Sequence, residues 1–136
     1  MAETKKVLTV CPYCGVGCGL NLLVEENRVV GVEPERLHPV NEGQLCVKGY
    51  YGYHFINDPN RLKSPLIRKN GQFETASWDE ALDYVAERLA KIRQESGPDA
   101  FAMTSCARAT NEENYLAQKF ARAVIGTNNI DNCARV

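Results

Sequence analysis

The spacing of apolar positions changes along the chain, from short β-branched runs at the start to helical periodicity after residue 77. Residues 6–10 (KVLTV) predict a strand that leads into a cysteine-rich loop. Two further apolar runs, 19–24 and 28–32, flank Glu25-Glu26-Asn27 and predict a hairpin. The segment VKGYYGYHFIN (47–57) predicts a short helix or an aromatic cover for the preceding loop, and Asp58-Pro59-Asn60 is a break. LIRK and QFET are joined through Asn70-Gly71, a two-residue signal for a tight type I′ hairpin.

Ser77-Trp78-Asp79-Glu80 reads as a capping box, with Ser77 as N-cap and Glu80 reaching back to it. Ala81, Leu82, Val85, Leu89 and Ile92 then recur at helical spacing, and Gly97-Pro98 ends the helix. AFAMT (100–104) predicts a strand, SCARAT (105–110) a loop, and 111–124 a second helix closed by Gly126, with Tyr115, Leu116, Phe120 and Val124 on its apolar face. NNIDNCARV enters a second strand. Helix, strand, helix, strand is the opening of a parallel α/β layer, whose ligands sit beyond the carboxyl ends of the strands. The expected fold is therefore α+β overall. Residues 1–58 form a small, mostly-β domain, and 59–136 the incomplete first part of an α/β domain with a parallel sheet between helices. Two strands and two helices cannot cover a sheet, so exposed apolar surface is expected in that second part.

Composition narrows the function classes. Of 136 residues, 44% are hydrophobic and 24% charged, with a net charge of −1, which is ordinary for a globular protein. Nothing in that balance points to a nucleic-acid partner, and the pairs Lys5-Lys6 and Arg68-Lys69 read as solvated surface. The N-terminus has neither the apolar run of a signal peptide nor a twin-arginine motif, and no stretch approaches the roughly 18 apolar residues of a membrane span. A soluble, cytoplasmic protein is expected. In a reducing compartment its six cysteines should not be structural disulfides.

Four of the cysteines instead follow a ligand pattern: Cys11, Cys14, Cys18 and Cys46 are spaced C-x2-C-x3-C-x27-C. Thiolates are soft ligands that select iron–sulfur clusters, zinc or Cu(I). Three cysteines in a glycine-rich turn can wrap one side of a cubic cluster, with the fourth closing it from a distant segment. Structural zinc sites of four cysteines pair two C-x2-C knuckles, and the second knuckle is missing here. The spacing favours a 4Fe–4S cluster, with zinc as the alternative. Cys106 and Cys133 have no partner spacing and are expected to be buried thiols.

Four blocks in order, CPYCGVGCGL, GQLCVKGYYGYHFIN, SWDEALDYVAERL and KFARAVIGTNNIDNCARV, resemble the N-terminal part of the molybdopterin oxidoreductases. Within them the chain looks closest to cytoplasmic formate dehydrogenase, particularly the selenocysteine-containing kind. The resemblance implies that the four cysteines ligate the 4Fe–4S cluster and that Lys48 lies between cluster and pterin, assisting electron transfer. The plain alternative for Lys48 is a solvated lysine. Arg108 would contact the pterin or its phosphates, a structural salt bridge being the alternative. The full-length enzyme is implied to interconvert formate and CO2 at a molybdenum or tungsten bis-molybdopterin guanine dinucleotide centre. Its electrons would pass to an iron–sulfur subunit or a hydrogenase-type partner.

In the family, the stretch matching CARV precedes the metal-ligating selenocysteine or cysteine, followed by His-Gly-Pro. The chain stops at Val136, before that position, so a reading frame cut at a selenocysteine UGA codon is expected, with no catalytic residue present and the 136-residue chain inactive. The rival readings are a free-standing electron-transfer module and a related molybdoenzyme such as nitrate reductase.

Overall fold

The computed structural model describes residues 3–133; the CARV residues 134–136, to which the expectation about the chain's end refers, lie outside them. The backbone forms two compact units. The first contains the chain up to Arg61, Thr104–Ala117 and the residues from Asn132; the second contains Leu62–Met103 and Gln118–Asp131.

In the first unit, β1 (Lys5–Val10), β2 (Gly19–Glu25) and β3 (Arg28–Pro34) form an antiparallel sheet in that order. The β2–β3 turn is where the sequence places it, with Glu26 and Asn27 both left-handed at φ 47° and 62°, as a two-residue I′ turn requires. A register shift between Leu23 and Val24 bends the hairpin. The β1–β2 ladder runs to Val10↔Gly19. One more backbone hydrogen bond, from Cys11 N to Cys18 O at 2.8 Å, extends it. The cysteine loop is thus the loop of a hairpin. Helix α1 (Val47–Tyr51) and a 3-10 turn (Gly52–Asn57) follow, realising both readings of the aromatic segment. The turn is tied to β3 by Asn57 Nδ2 donating to Val29 O (2.6 Å) and Tyr53 Oη donating to Val30 O (3.1 Å).

In the second unit, β4 (Leu66–Lys69) and β5 (Gln72–Thr75) pair across Asn70-Gly71, whose φ values of 50° and 84° are again type I′. Helix α2 (Trp78–Ser96) starts at Ser77, whose Oγ accepts from Glu80 N at 3.1 Å. The other half of the capping box is weaker than expected. The Glu80 carboxylate takes Lys69 Nζ at 2.9 Å as its principal partner, which lowers its pKa more than the Ser77 N–H does. A charged donor from the neighbouring hairpin outcompetes a neutral backbone one. Gly97 (φ 81°) ends α2 as expected.

The next strand begins later than the sequence suggests. Pro98–Ala100 form a 3-10 turn, Pro98 being compatible with a first turn, and β6 is Met103–Ser105. Helix α3 (Asn111–Lys119) widens into a π-helical segment (Phe120–Ile125), closed by Gly126 N donating to Ala121 O at 2.9 Å. β7 (Ile130–Asn132) pairs with β6. Met103 N donates to Asn129 O and Cys133 N to Ser105 O, so partners advance together along both strands, the parallel pairing expected.

Apolar burial is thin. Among the described residues the buried hydrophobics are Cys11, Leu20, Ile67, Ala76, Ala121 and Ile125. Helix α2 buries no residue fully, and Trp78 and Leu82 on it are 67% and 60% exposed. The uncovered apolar surface expected of the second part is therefore present. With so little packing to hold α2, its cap matters. Replacing Ser77 by Ala removes the acceptor for Glu80 N and should destabilise the second unit by about 1 kcal/mol. A thermal melt followed by helical circular dichroism checks this; an unchanged melt would show that the cap contributes nothing.

Candidate metal centre

The cysteine loop is shaped by its hairpin base. Cys11 and Cys18 face each other across the last pair of the ladder, leaving Cys14 at the turn between them. Gly17 sits at φ 78°, a left-handed conformation that lets the chain reverse before Cys18 at little steric cost. Cys11 is buried, Cys14 and Cys18 are half-buried and Cys46 is exposed. An apolar cavity of about 210 Å³, lined by Val10, Cys11, Leu20, Tyr53 and Phe55 among others, flanks the Cys11 side. Charges on that flank are poorly screened by water.

Cys46 approaches from a segment 28 residues downstream of Cys18, and one side chain makes the connection. Asn41 Oδ1 accepts from Gly19 N at 2.8 Å, while its Nδ2 donates to Gly19 O at 3.1 Å and Gln44 O at 2.8 Å. The residue after Cys18 is thereby fastened to the residue two before Cys46. A second tie runs from Tyr13 Oη, which donates to Gly52 O at 2.7 Å. The Tyr13 ring meets Phe55 edge-on at 6.4 Å. A third comes from 96 residues away: Asn111 Nδ2 at the start of α3 donates to Gly15 O at 2.8 Å. A Cβ on Gly15 would lie 2.6 Å from Asn111 Oδ1, so a larger residue here would displace the Asn111 side chain. Asn41, Tyr13 and Asn111 were not picked out from sequence. Single asparagines and tyrosines carry no spacing signal, although Tyr13 lies inside the CPYC block.

The thiols are electrostatically unequal. The Cys18 thiol is pushed up, first by burial and then by its neighbours Cys11, Cys14 and Cys46. The other three cysteines thus contribute to its shift after burial does. The Cys46 thiol is held below its ordinary value by the N–H groups of Gly49 and Lys48, with the Lys48 charge adding to them. No side-chain hydrogen bond caps α1, so these N–H groups act on the sulfur through their field. Lys48 is exposed, and among the described residues it forms no ion pair. Among the described residues no three His, Cys, Asp or Glu side chains converge tightly enough to hold one metal ion. Tetrahedral zinc with four thiolates needs sulfurs about 3.8 Å apart, the separation that follows from Zn–S bonds of about 2.3 Å.

Arg108 is exposed and makes no salt bridge among the described residues, so the structure does not supply the ion pair considered for it. Its backbone N–H donates to Cys106 Sγ at 3.3 Å. Cys106 and Cys133 depart from the expectation of buried thiols. Cys106 is half-buried, Cys133 is exposed, and their sulfurs are 3.6 Å apart. A separation of 27 residues hid this neighbourhood, which the pairing of β6 with β7 creates.

Comparison with known proteins covers both parts of the chain. Residues 4–58 match the family described as "Molybdopterin oxidoreductase Fe4S4 domain", and residues 61–136 match "Molybdopterin oxidoreductase". The F420-dependent formate dehydrogenase 2 subunit alpha of Methanococcus maripaludis is 55% identical over 136 residues, covering 100% of this chain and 20% of that protein. Formate dehydrogenase H of Escherichia coli K12 is 56% identical over 139 residues, covering 97% and 19%. The chain thus spans about a fifth of the length of these curated relatives. Among solved structures, acetylene hydratase from Pelobacter acetylenicus superposes with a TM-score of 0.68 over 94% of this chain and 18% of that one, at 23% identity, a likeness of fold.

The inequality of the thiols is measurable in the reduced, metal-free chain. Alkylation by iodoacetamide, followed residue by residue across a pH series, should reach half its maximal rate at lower pH for Cys46 than for Cys18, because the thiolate is the reactive form. The reverse order would contradict the charge distribution described above.

Proposed function

The chain belongs to the molybdopterin oxidoreductases, and from that membership we propose that it is the iron–sulfur electron-relay portion of a formate dehydrogenase. In this reading Cys11, Cys14, Cys18 and Cys46 hold a 4Fe–4S cluster. Residues 1–58 are the cluster domain, and 59–136 are the first part of the domain that binds the molybdenum or tungsten bis-molybdopterin guanine dinucleotide. The observation that supports this reading is the Asn41 carboxamide, which ties Gly19, the residue after Cys18, to Gln44, two residues before Cys46.

The donor set fits the cluster. Four thiols and no carboxylate or imidazole are the soft set that iron–sulfur centres take. Burial first and then the neighbouring thiols push the Cys18 thiol up, a penalty on its thiolate that a cationic iron core would offset. When bound, the cluster supplies one-electron exchange between a two-electron reaction and an outside acceptor. The chain's own residues set the conditions for that exchange. The hairpin base fixes Cys11 against Cys18, apolar side chains line the cavity on the Cys11 flank, and the N–H groups of Gly49 and Lys48 favour the Cys46 thiolate. Lys48, charged and without a carboxylate partner among the described residues, would favour added negative charge at a cluster held there and so would raise its potential. Arg108, exposed at the carboxyl end of β6, has its guanidinium available for pterin phosphates.

The full-length protein of this reading oxidises formate to CO2 in the cytoplasm, releasing one proton and two electrons. Cys11, Cys14, Cys18 and Cys46 would hold the cluster that would pass these electrons to an iron–sulfur or hydrogenase-type partner. As the chain spans about a fifth of the relatives' length, the 136-residue polypeptide should not turn over formate with a viologen acceptor. Anaerobic reconstitution tests the relay itself: it should yield about four irons and four sulfides per chain and a brown absorbance near about 400 nm. Replacing Lys48 by Met should lower the midpoint potential of the loaded chain. Stoichiometric zinc in place of iron, in protein purified anaerobically without added metal, would contradict the reading.

A further inference from the structure

Outside the four-cysteine locality, the described residues hold one other close pair of nucleophiles. Cys106 is the first residue after β6 and Cys133 the first after β7. The parallel pairing of those strands, with Cys133 N donating to Ser105 O at 3.1 Å, places both at the carboxyl end of the ladder. Their sulfurs stand 3.6 Å apart. Forming a disulfide of about 2.05 Å then asks for an approach of about 1.5 Å, within reach of side-chain rotation on adjacent strands.

The two thiols differ in the way that a reactive pair requires. Cys133 is exposed, and Cys106 is half-buried. Cys133 is surrounded by groups that favour its thiolate: the Ala107 N–H foremost, then the Cys106 thiol, then the Arg108 charge. Arg108 N donates to Cys106 Sγ, so the same loop orients both sulfurs.

We propose that Cys106 and Cys133 form a peroxide-reactive dithiol, with Cys133 as the attacking thiolate and Cys106 as the resolving thiol. The Cys133 sulfur attacks one peroxide oxygen. The S–O bond forms, the O–O bond breaks, and the departing hydroxide takes a proton to become water. The peroxide is reduced by two electrons, and Cys133 becomes a sulfenic acid. The Cys106 sulfur then displaces that oxygen. The S–S bond forms, the S–O bond breaks, and the Cys106 proton leaves with the oxygen as a second water. Two thiols and one hydrogen peroxide thus give one disulfide and two waters, and a small-molecule thiol reverses the change by exchange. The closed form covalently joins the ends of β6 and β7 and restrains the loop that carries Arg108. This chemistry does not depend on the cluster assignment.

The test uses the full chain, loaded with iron and unloaded in parallel. Reduced protein is treated with one equivalent of hydrogen peroxide, alkylated and digested with trypsin, which places Cys106 in peptide 94–108 and Cys133 in peptide 123–135. A 94–108/123–135 disulfide is expected as the main product in both arms. In Cys106→Ser, Cys133 should persist as a sulfenic acid that dimedone captures; in Cys133→Ser, Cys106 should oxidise at least about 10-fold more slowly. The wild-type linkage map is informative whether or not the variants fold. Absence of that linkage, or Cys106 oxidising as fast in Cys133→Ser as in the wild type, overturns the proposal.

Discussion

Four thiols drawn from residues 11–18 and from Cys46 can share a centre only if the segment bearing Cys46 is held against the end of the first loop. The carboxamide of Asn41 holds it, accepting from Gly19 N and donating to Gly19 O and Gln44 O. An amide is suited to this task because it offers donor and acceptor in one plane, and so serves Gly19 N while adding a second donor to Gly19 O beside Glu35 N. The small sheet supplies the other fixed point, since the β1–β2 ladder ends on the Cys11–Cys18 hydrogen bond. Burial contributes little beyond this frame. The described residues bury only a handful of apolar side chains, so directed polar ties carry an unusual share of the positioning.

Those ties leave the centre asymmetric. The Cys11 side is flanked by an apolar cavity; on the Cys46 side the surface is open and electropositive, with Lys48 and two backbone N–H groups nearby. The Lys48 charge adds to the backbone N–H groups in favouring negative charge at Cys46. The formate dehydrogenase reading rests on this arrangement together with family membership. The fold likeness to acetylene hydratase shows that the same scaffold serves proteins of different names, so the fold alone does not select a reaction.

Much of the framework is legible in the sequence because it is local. Asn70-Gly71 announces a two-residue turn whose left-handed φ values the structure shows, Glu25-Glu26-Asn27 marks a hairpin that the structure tightens to a two-residue turn, and Ser77 and Gly97 bound α2 as capping chemistry predicts. The four cysteines stand out by spacing, and the quoted blocks led to the family. What was not legible is non-local. Glu80 gives its carboxylate chiefly to Lys69, a residue on the preceding hairpin, and the strand after α2 is displaced by the Pro98 turn. Asn41 and Asn111 act across 22 and 96 residues, and nothing in their own surroundings marks them. Cys106 and Cys133 become neighbours only when β6 pairs with β7, so their separation read as two isolated thiols.

The most direct test of the central claim is the rate at which the loaded chain gives up iron to a chelator after Asn41 is replaced by Ala. Removing the amide leaves Gly19 N, Gly19 O and Gln44 O without this partner, at a cost of about 1–3 kcal/mol, or about 5- to 150-fold in an equilibrium. Iron loss at least about 5-fold faster than in the wild type is predicted, with Asn21→Ala, which removes the hydrogen bond to Glu35 on the hairpin, unchanged. Equal rates for Asn41→Ala and the wild type would show that Cys46 reaches the centre without the amide, contradicting the account.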